Sequence, residues 1–237
     1  MIEYAFQTDQ IFSASYGVRV IDNYPVIEYG SPVYTQTSIP GRKGTLTEFD
    51  GTYTDTMVTM DCDITLIDDL SVDLQFQKFV SKLGKSKTLT IEGMETSFFR
   101  IKKVVVSDYD RYSDISIEFR LTFTCEPGLY QIDGDRYVSV LHEHIFNANS
   151  VSEPVYMIDG SGRCVLSVND KTMTLDLNGL VYIDTEHQEV LLESGALANT
   201  LANGNYDDLF LQPGINRITV SSGFELKIKP RWRWLHP

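Results

Sequence analysis

The chain has 237 residues, with 20 Lys and Arg against 33 Asp and Glu, for a formal net charge of −13. That length suits one large domain or two small ones, and an apolar share of 42% is enough to build packed cores, which excludes general disorder. The acidity disfavours a protein that grips nucleic-acid phosphates through its overall field or docks on anionic lipid.

Val, Ile and Thr together supply 57 residues and Ala only 6. β-Branched side chains suit a pleated surface and Ala suits a helix, so the composition predicts an all-β fold. No apolar run reaches the ~18 residues of a membrane span. The opening MIEYAFQTDQ lacks the basic and apolar regions of a secretory leader. Cys62, Cys125 and Cys164 are odd in number, widely spaced and set in apolar strand-like patterns, which predicts buried free thiols and a reducing compartment.

Residues 17–22 read as the first clear strand. Residues 39–55, IPGRKGTLTEFDGTYTD, open on a Pro-Gly turn, and Asp50-Gly51 supplies a second turn signal between LTEF and TYTD. A hairpin here has too few apolar positions to bury one face well, so it is expected to need cover from another chain. Met60, Cys62, Ile64 and Leu66 alternate with polar residues. So do Ile115, Ile117, Phe119, Leu121, Phe123 and Cys125, six expected inward positions on one strand. Between these two runs, Val72, Phe76, Phe79, Val80 and Leu83 recur at helical spacing. This predicts an amphipathic helix over about 69–84, with Asp69 or Ser71 as N-cap and Gly84 in the left-handed position after its end. Residues 88–92 and 98–106 are further strands.

Pro127-Gly128 and Asp133-Gly134-Asp135 mark a boundary, dividing the chain into domains 1–135 and 136–237. The second domain repeats the pattern of short strands at 164–169, 172–177, 181–184, 190–192, 216–220 and 224–229, which points to a sandwich. Split after Tyr130, the two parts carry −7 and −6, so the acidity is no tail.

Nothing in the sequence is arranged like an active site. His142-Glu143-His144 would place two imidazoles on one strand face, but no third ligand is near, and a solvated linker is the simpler reading. Asp159-Gly160-Ser161-Gly162 lacks the strand-to-helix context and the Lys of a phosphate loop, and is expected to be a hairpin turn. Asp68-Asp69 and Asp207-Asp208 read as turn or cap residues. No catalytic residue, metal ligand or cofactor is assigned. Arg42 and Lys43, and the group Lys78, Lys82, Lys85 and Lys87, form local basic patches able to meet an acidic neighbouring subunit or simply to solubilise the chain. In the final PRWRWLHP, Trp232 and Trp234 are expected to share one strand face and cap the second core, with Arg231 and Arg233 on the other.

Several stretches together resemble the distal tail protein (Dit) family of long-tailed phages and prophages. They are the PGRKG turn with its hairpin, RYSDISIEFRLTFTCEP closing the first domain, and the series SEPVYMIDGSG, CVLSVNDKTMTL, VYIDTEHQEVL, LQPGINRITV and ELKIKPRWRWL. The resemblance implies an N-terminal β-sandwich with one helix and an extended hairpin, and a C-terminal galectin-like β-sandwich. It implies a non-enzymatic structural protein at the virion tail tip, assembled in the bacterial host cytoplasm. Six copies would form a ring that joins the tail tube protein to the tail-associated hub or lysin protein and to receptor-binding or baseplate proteins. DNA would pass through without being held, and no membrane is involved. The hairpin maps onto a ring-forming element, with Arg42, Lys43, Phe49 and Tyr53 as candidate interface residues. Sugar-binding galectins carry H-x-N-P-R and W-x-x-E-x-R stretches that this chain lacks, since His144 is followed by Ile-Phe-Asn-Ala. No carbohydrate-binding residue is therefore assigned. A host-surface adhesin acting through the C-terminal sandwich and its tryptophans is the alternative reading.

Overall fold

The computed structural model describes residues 4–41, 43–67, 71–140 and 143–235. Arg42, the Asp68-Asp69 pair and His142, singled out above, lie outside the described residues. The chain forms two compact units, one of Met1–Leu129 with Leu235–Pro237 and one of Tyr130–Trp234. Among the described residues the fold is all-β apart from a single α-helix and short 3-10 turns.

The first unit contains β1 (Phe6–Thr8), β2 (Val18–Val20), β3 (Val26–Glu28), β4 (Pro32–Ser38), β5 (Thr45–Tyr53), β6 (Thr56–Thr65), α1 (Val72–Leu83), β7 (Thr88–Ile91), β8 (Ser97–Asp110) and β9 (Ser116–Cys125). Its main sheet runs β1-β7-β8-β9-β6-β2, with β3 also on β6. The long strand β8 pairs first with β7, through Arg100 and Phe99, and then with β9 from Ile101 onward. A register shift between Ile101 and Lys103 separates the two halves. An extra residue at such a bulge bends a strand, and the short β1–β7 leg folds over the long strands. Phe6 on β1 thereby meets Phe123 on β9, ring centroids 6.0 Å apart.

The period-two pattern of β6 and β9 sends Val58, Met60, Cys62 and Ile64, and Ile117, Phe119, Leu121, Phe123 and Cys125, into the core. Ile115 does not join them. It precedes the paired strand and is 56% exposed. Ser71 caps α1 by accepting from Leu74 N. Val72, Phe79 and Leu83 are buried, and Phe79 packs on Phe6, Tyr16 and Phe119 at 5.9 to 6.4 Å. Buried Gln75 fixes the helix to the sheet. Its amide donates to the carbonyls of Tyr16 and Thr65 and its oxygen accepts from Ile67 N. Gly84 is right-handed at φ −62°, not left-handed, because the chain continues in a further hydrogen-bonded turn, with Lys85 N donating to Lys82 O and Ser86 N to Leu83 O.

The second unit contains β10 (Leu129–Gln131), β11 (Val138–Ser139), β12 (His144–Asn147), β13 (Val155–Asp159), β14 (Ser161–Val168), β15 (Lys171–Asn178), β16 (Val181–Asp184), β17 (Glu189–Leu192), β18 (Ala202–Asn203), β19 (Gly214–Val220), β20 (Glu225–Lys229) and β21 (Arg233–Trp234). Sheets β11-β20-β13-β16-β17 and β12-β19-β14-β15-β18 enclose one core that includes Tyr156, Leu166, Leu175 and Ile218. Tyr156 is fully buried and donates its hydroxyl to Leu209 O at 2.6 Å.

Asp159–Gly162 is not a hairpin turn. β13 and β14 belong to different sheets, and Gly160 carries the chain between them in a conformation with φ +155° beside the Phe224 ring, where a side chain would collide. All three cysteines are free and buried, and burial pushes the Cys125 thiol up to about 12.

Replacing Phe79 with Ala removes the ring that joins α1, β1 and β9. Chemical denaturation is expected to show a loss of about 3–5 kcal/mol; a loss below about 1 kcal/mol would place the helix outside the core.

Candidate oligomer interface

β4 and β5 form a ribbon that pairs with no other strand among the described residues. Neither strand contains a buried residue. The polar run of Thr, Gln, Ser and Glu gives it no apolar face to fold inward, and a lone two-stranded hairpin is marginal in water. The ribbon is nevertheless pinned at its base. Ser31 N donates to Thr54 Oγ1 and Thr54 N to Ser31 O, both at 2.9 Å. Gly30 N donates to buried Thr56 Oγ1, and a side chain on Gly30 would strike the Thr54 carbonyl. Asp55, just past the ribbon, pairs with Lys102 Nζ at 2.7 Å.

The turn sits at residues 39–44, where the Pro-Gly signal puts it, with Ser38 opposite Thr45. Asp50-Gly51 makes no turn. It lies inside β5, where Tyr34 faces Phe49 but Pro32 faces Tyr53, so extra residues on β5 form a bulge with Gly51 at φ +81°. Positive φ at Gly serves a bulge as well as a turn, and the reversal opened by Pro40-Gly41 already closes the ribbon.

The candidate residues are placed as follows. Lys43 is exposed in the turn. Phe49 is 47% exposed and packs between Tyr34 at 5.8 Å and Tyr53, half-buried, at 5.5 Å. Tyr34, 55% exposed, completes this aromatic stripe, and sequence reading missed it. Its link to Phe49 depends on the hairpin register, which a turn at Asp50-Gly51 would have put elsewhere. Exposed aromatic side chains grouped on one surface are the usual material of protein interfaces.

Of the lysines near the helix end, Lys82 lies over the Tyr16 ring at 5.6 Å.

In the second unit, Arg231 and Arg233 do not share one strand face as expected, since the strand covers only Arg233–Trp234. Arg231 at φ +53° breaks the alternation, and both guanidinium groups are largely buried by pairing. Arg231 binds both oxygens of Asp184, at 2.6 and 2.7 Å, and Glu186 at 2.9 Å. Arg233 binds Glu153 at 2.8 Å and the Val151 carbonyl. Trp232 packs against the second core, whereas Trp234 is 43% exposed. Asp184, His187 and Glu189 bring ligand atoms within 4.8 Å of one another. Both Asp184 oxygens already serve Arg231, so the group acts as an ion network that fastens the C-terminal segment to β16.

Together these features define an all-β, two-unit architecture, a bent sheet with one helix and a projecting ribbon followed by a two-sheet sandwich. The chain has the fold of the SPP1 Dit (gp 19.1) protein, whose crystal structure is described as a paradigm of the hub adsorption apparatus in phages infecting Gram-positive bacteria. The TM-score is 0.63 at 13% sequence identity, over 95% of this chain and 97% of that one. No protein-family model matches the chain. No curated protein matches it either. Among the described residues, no helix is long and apolar enough to cross a membrane.

Burial acts to raise the Asp184 pKa, but hydrogen bonds and charge from Arg231 outweigh it and hold the carboxyl at about 2. A carboxyl more acidic in the folded than the unfolded state stabilises the fold above the unfolded value of ~3.9, and that stability is lost as pH falls towards 2. Asp184→Asn leaves the Arg231 guanidinium with Glu186 as its remaining carboxylate and should cost about 1.5–3 kcal/mol at neutral pH. Its penalty should shrink between about pH 4 and pH 2 in denaturation curves; a pH-independent penalty would contradict the ion-pair account.

Proposed function

We propose that this protein is a structural, non-enzymatic hub of a phage tail tip. In this reading six copies close a ring through their first units. The ring joins the tail tube to the tail-associated hub or lysin protein and to receptor-binding or baseplate proteins, and DNA passes through it. The protein would reside in the virion tail tip after assembly in the host cytoplasm, with the second unit as a galectin-like docking module. The observation that carries the reading is the ribbon without a single buried residue, set in a fold shared end to end with a hub protein. An element that cannot bury itself belongs against another chain.

The charge fits the same role. The face of β6 and β9 turned away from the core carries Asp61, Asp63 and Glu118, with Asp108 of β8 beside them, against Arg120 and against Arg19 of β2, which stands opposite Asp63. Arg120 is already engaged by Asp61 at 2.7 Å and Asp108 at 3.3 Å. A channel wall of this kind repels a duplex and keeps it from sticking.

Native mass spectrometry of the intact protein is expected to give about 160 kDa, six chains of 26.9 kDa. Excision of residues 32–53 with a short Gly linker should leave a folded chain of monomer mass. An unchanged oligomer mass after excision would refute the ribbon's role. In reconstituted virions, changing Asp61, Asp63 and Glu118 to their amides should slow DNA ejection, increasingly at low salt; unchanged ejection kinetics would leave these acids as a solubilising surface.

A further inference from the structure

The chain has two Asn-Gly steps, Asn178-Gly179 and Asn203-Gly204, and both lie in the second unit. At such a step the glycine nitrogen, unscreened by a side chain, can reach the carboxamide carbon of the preceding asparagine. What already holds the two groups decides whether it does, and the fold treats the two steps differently.

Asn178 ends β15, opposite Ser161 of β14. Gly179 N donates to Gly160 O at 2.8 Å, and Gly160 is itself fixed beside the Phe224 ring. The nitrogen that would attack is tied to a rigid partner. Asn203 stands instead on the two-residue β18, at the outer edge of its sheet. Its carbonyl accepts from Thr174 Oγ1 at 3.3 Å. Among the described residues, neither its carboxamide nor the Gly204 N–H has a hydrogen-bond partner, and both residues are exposed to water. Other carboxamides of the unit are engaged. Asn147 donates to Ser150 O and Leu211 O, Asn199 to Gln188 O, and Asn216 to Gln212 O and Gly214 O. Position 204 requires glycine, since φ is +154° and a Cβ there would lie 3.0 Å from Met173 Cα. The fold therefore keeps an unshielded nitrogen next to an unrestrained carboxamide.

We propose that Asn203 is a self-modification site, at which Gly204 N closes a succinimide on Asn203 Cγ and water opens it to aspartate or isoaspartate. The N–Cγ bond forms as the Cγ–Nδ2 bond breaks, and the proton lost from Gly204 N leaves with the amine as ammonia. Water then adds its hydroxyl to one imide carbonyl carbon and its proton to the released nitrogen. Each event adds one negative charge to a chain already at −13. Opening to isoaspartate also inserts an extra backbone atom before Gly204. That displaces the glycine from its seat against Met173 and loosens β18, an edge with little pairing of its own.

Peptide mapping by mass spectrometry of the intact protein, held in mildly alkaline buffer, tests the assignment. Native protein should convert Asn203 on the order of tenfold faster than Asn178, the factor that one well-made hydrogen bond supplies. An isoaspartyl methyltransferase should label the Asn203 peptide of the aged protein, and Asn203→Gln should leave that peptide unmodified. Chain unfolded in urea should convert both steps at comparable rates, because the fold and not the local sequence protects Asn178. Equal native rates at the two steps would overturn the proposal. So would a native Asn203 that stays intact while the unfolded chain reacts, or a rate difference that persists in urea.

Discussion

A two-stranded ribbon has no second layer of its own, and the Pro32–Tyr53 ribbon has no buried position on either strand. Its backbone hydrogen bonds are internally satisfied, yet three aromatic rings stay wholly or partly in water. Desolvation of those rings is the free energy still available after the chain has folded, and only another molecule can supply the surface that collects it. The first unit is built so that the ribbon is held out without being free. Gly30 lets the chain pass against Thr54 with no side chain between, and Ser31 and Thr54 clamp the base.

The rest of the first unit serves that projection. The bend in β8 folds a short leg over the long strands, and α1 closes the open side through Phe79 and Gln75. This concentrates the apolar residues in one core and leaves the opposite face of β6 and β9 to carboxylates and hydroxyls. The first unit thus has one packed face, one polar face and one ribbon outside its core. The second unit reaches its stability separately. Its two sheets enclose their own core, and the C-terminal segment is fastened by Arg231 and Arg233 to Asp184, Glu186 and Glu153. These arginines act as internal clamps, so residues 231–234 belong to the folding of the sandwich.

Much of this was legible in the residues because periodicity is a direct signature of a half-buried strand. The alternation in 60–66 and 115–125 and the helical spacing of Val72, Phe76, Phe79, Val80 and Leu83 located two strands and the helix, with Leu66 and Ile115 falling just outside the paired strands. The uncovered ribbon was also readable, since Thr, Gly and charge leave no face to bury. The errors fall where local signals have two structural uses. Asp-Gly serves a bulge as readily as a turn, so the hairpin register was missed and Tyr34 with it. Asp-Gly-Ser-Gly joins strands of opposite sheets as readily as neighbours in one. The Arg-Trp alternation hid the ion pairs because their partners, Glu153, Asp184 and Glu186, are between 45 and 80 residues away in the chain, and nothing local announces a contact of that range.

Single-particle electron microscopy of the purified protein at assembling concentration addresses the central claim most directly. The account predicts a closed ring with a central channel, in which density for each ribbon crosses onto the neighbouring subunit. Isolated single subunits, or a two-fold dimer with both ribbons in solvent, would contradict it.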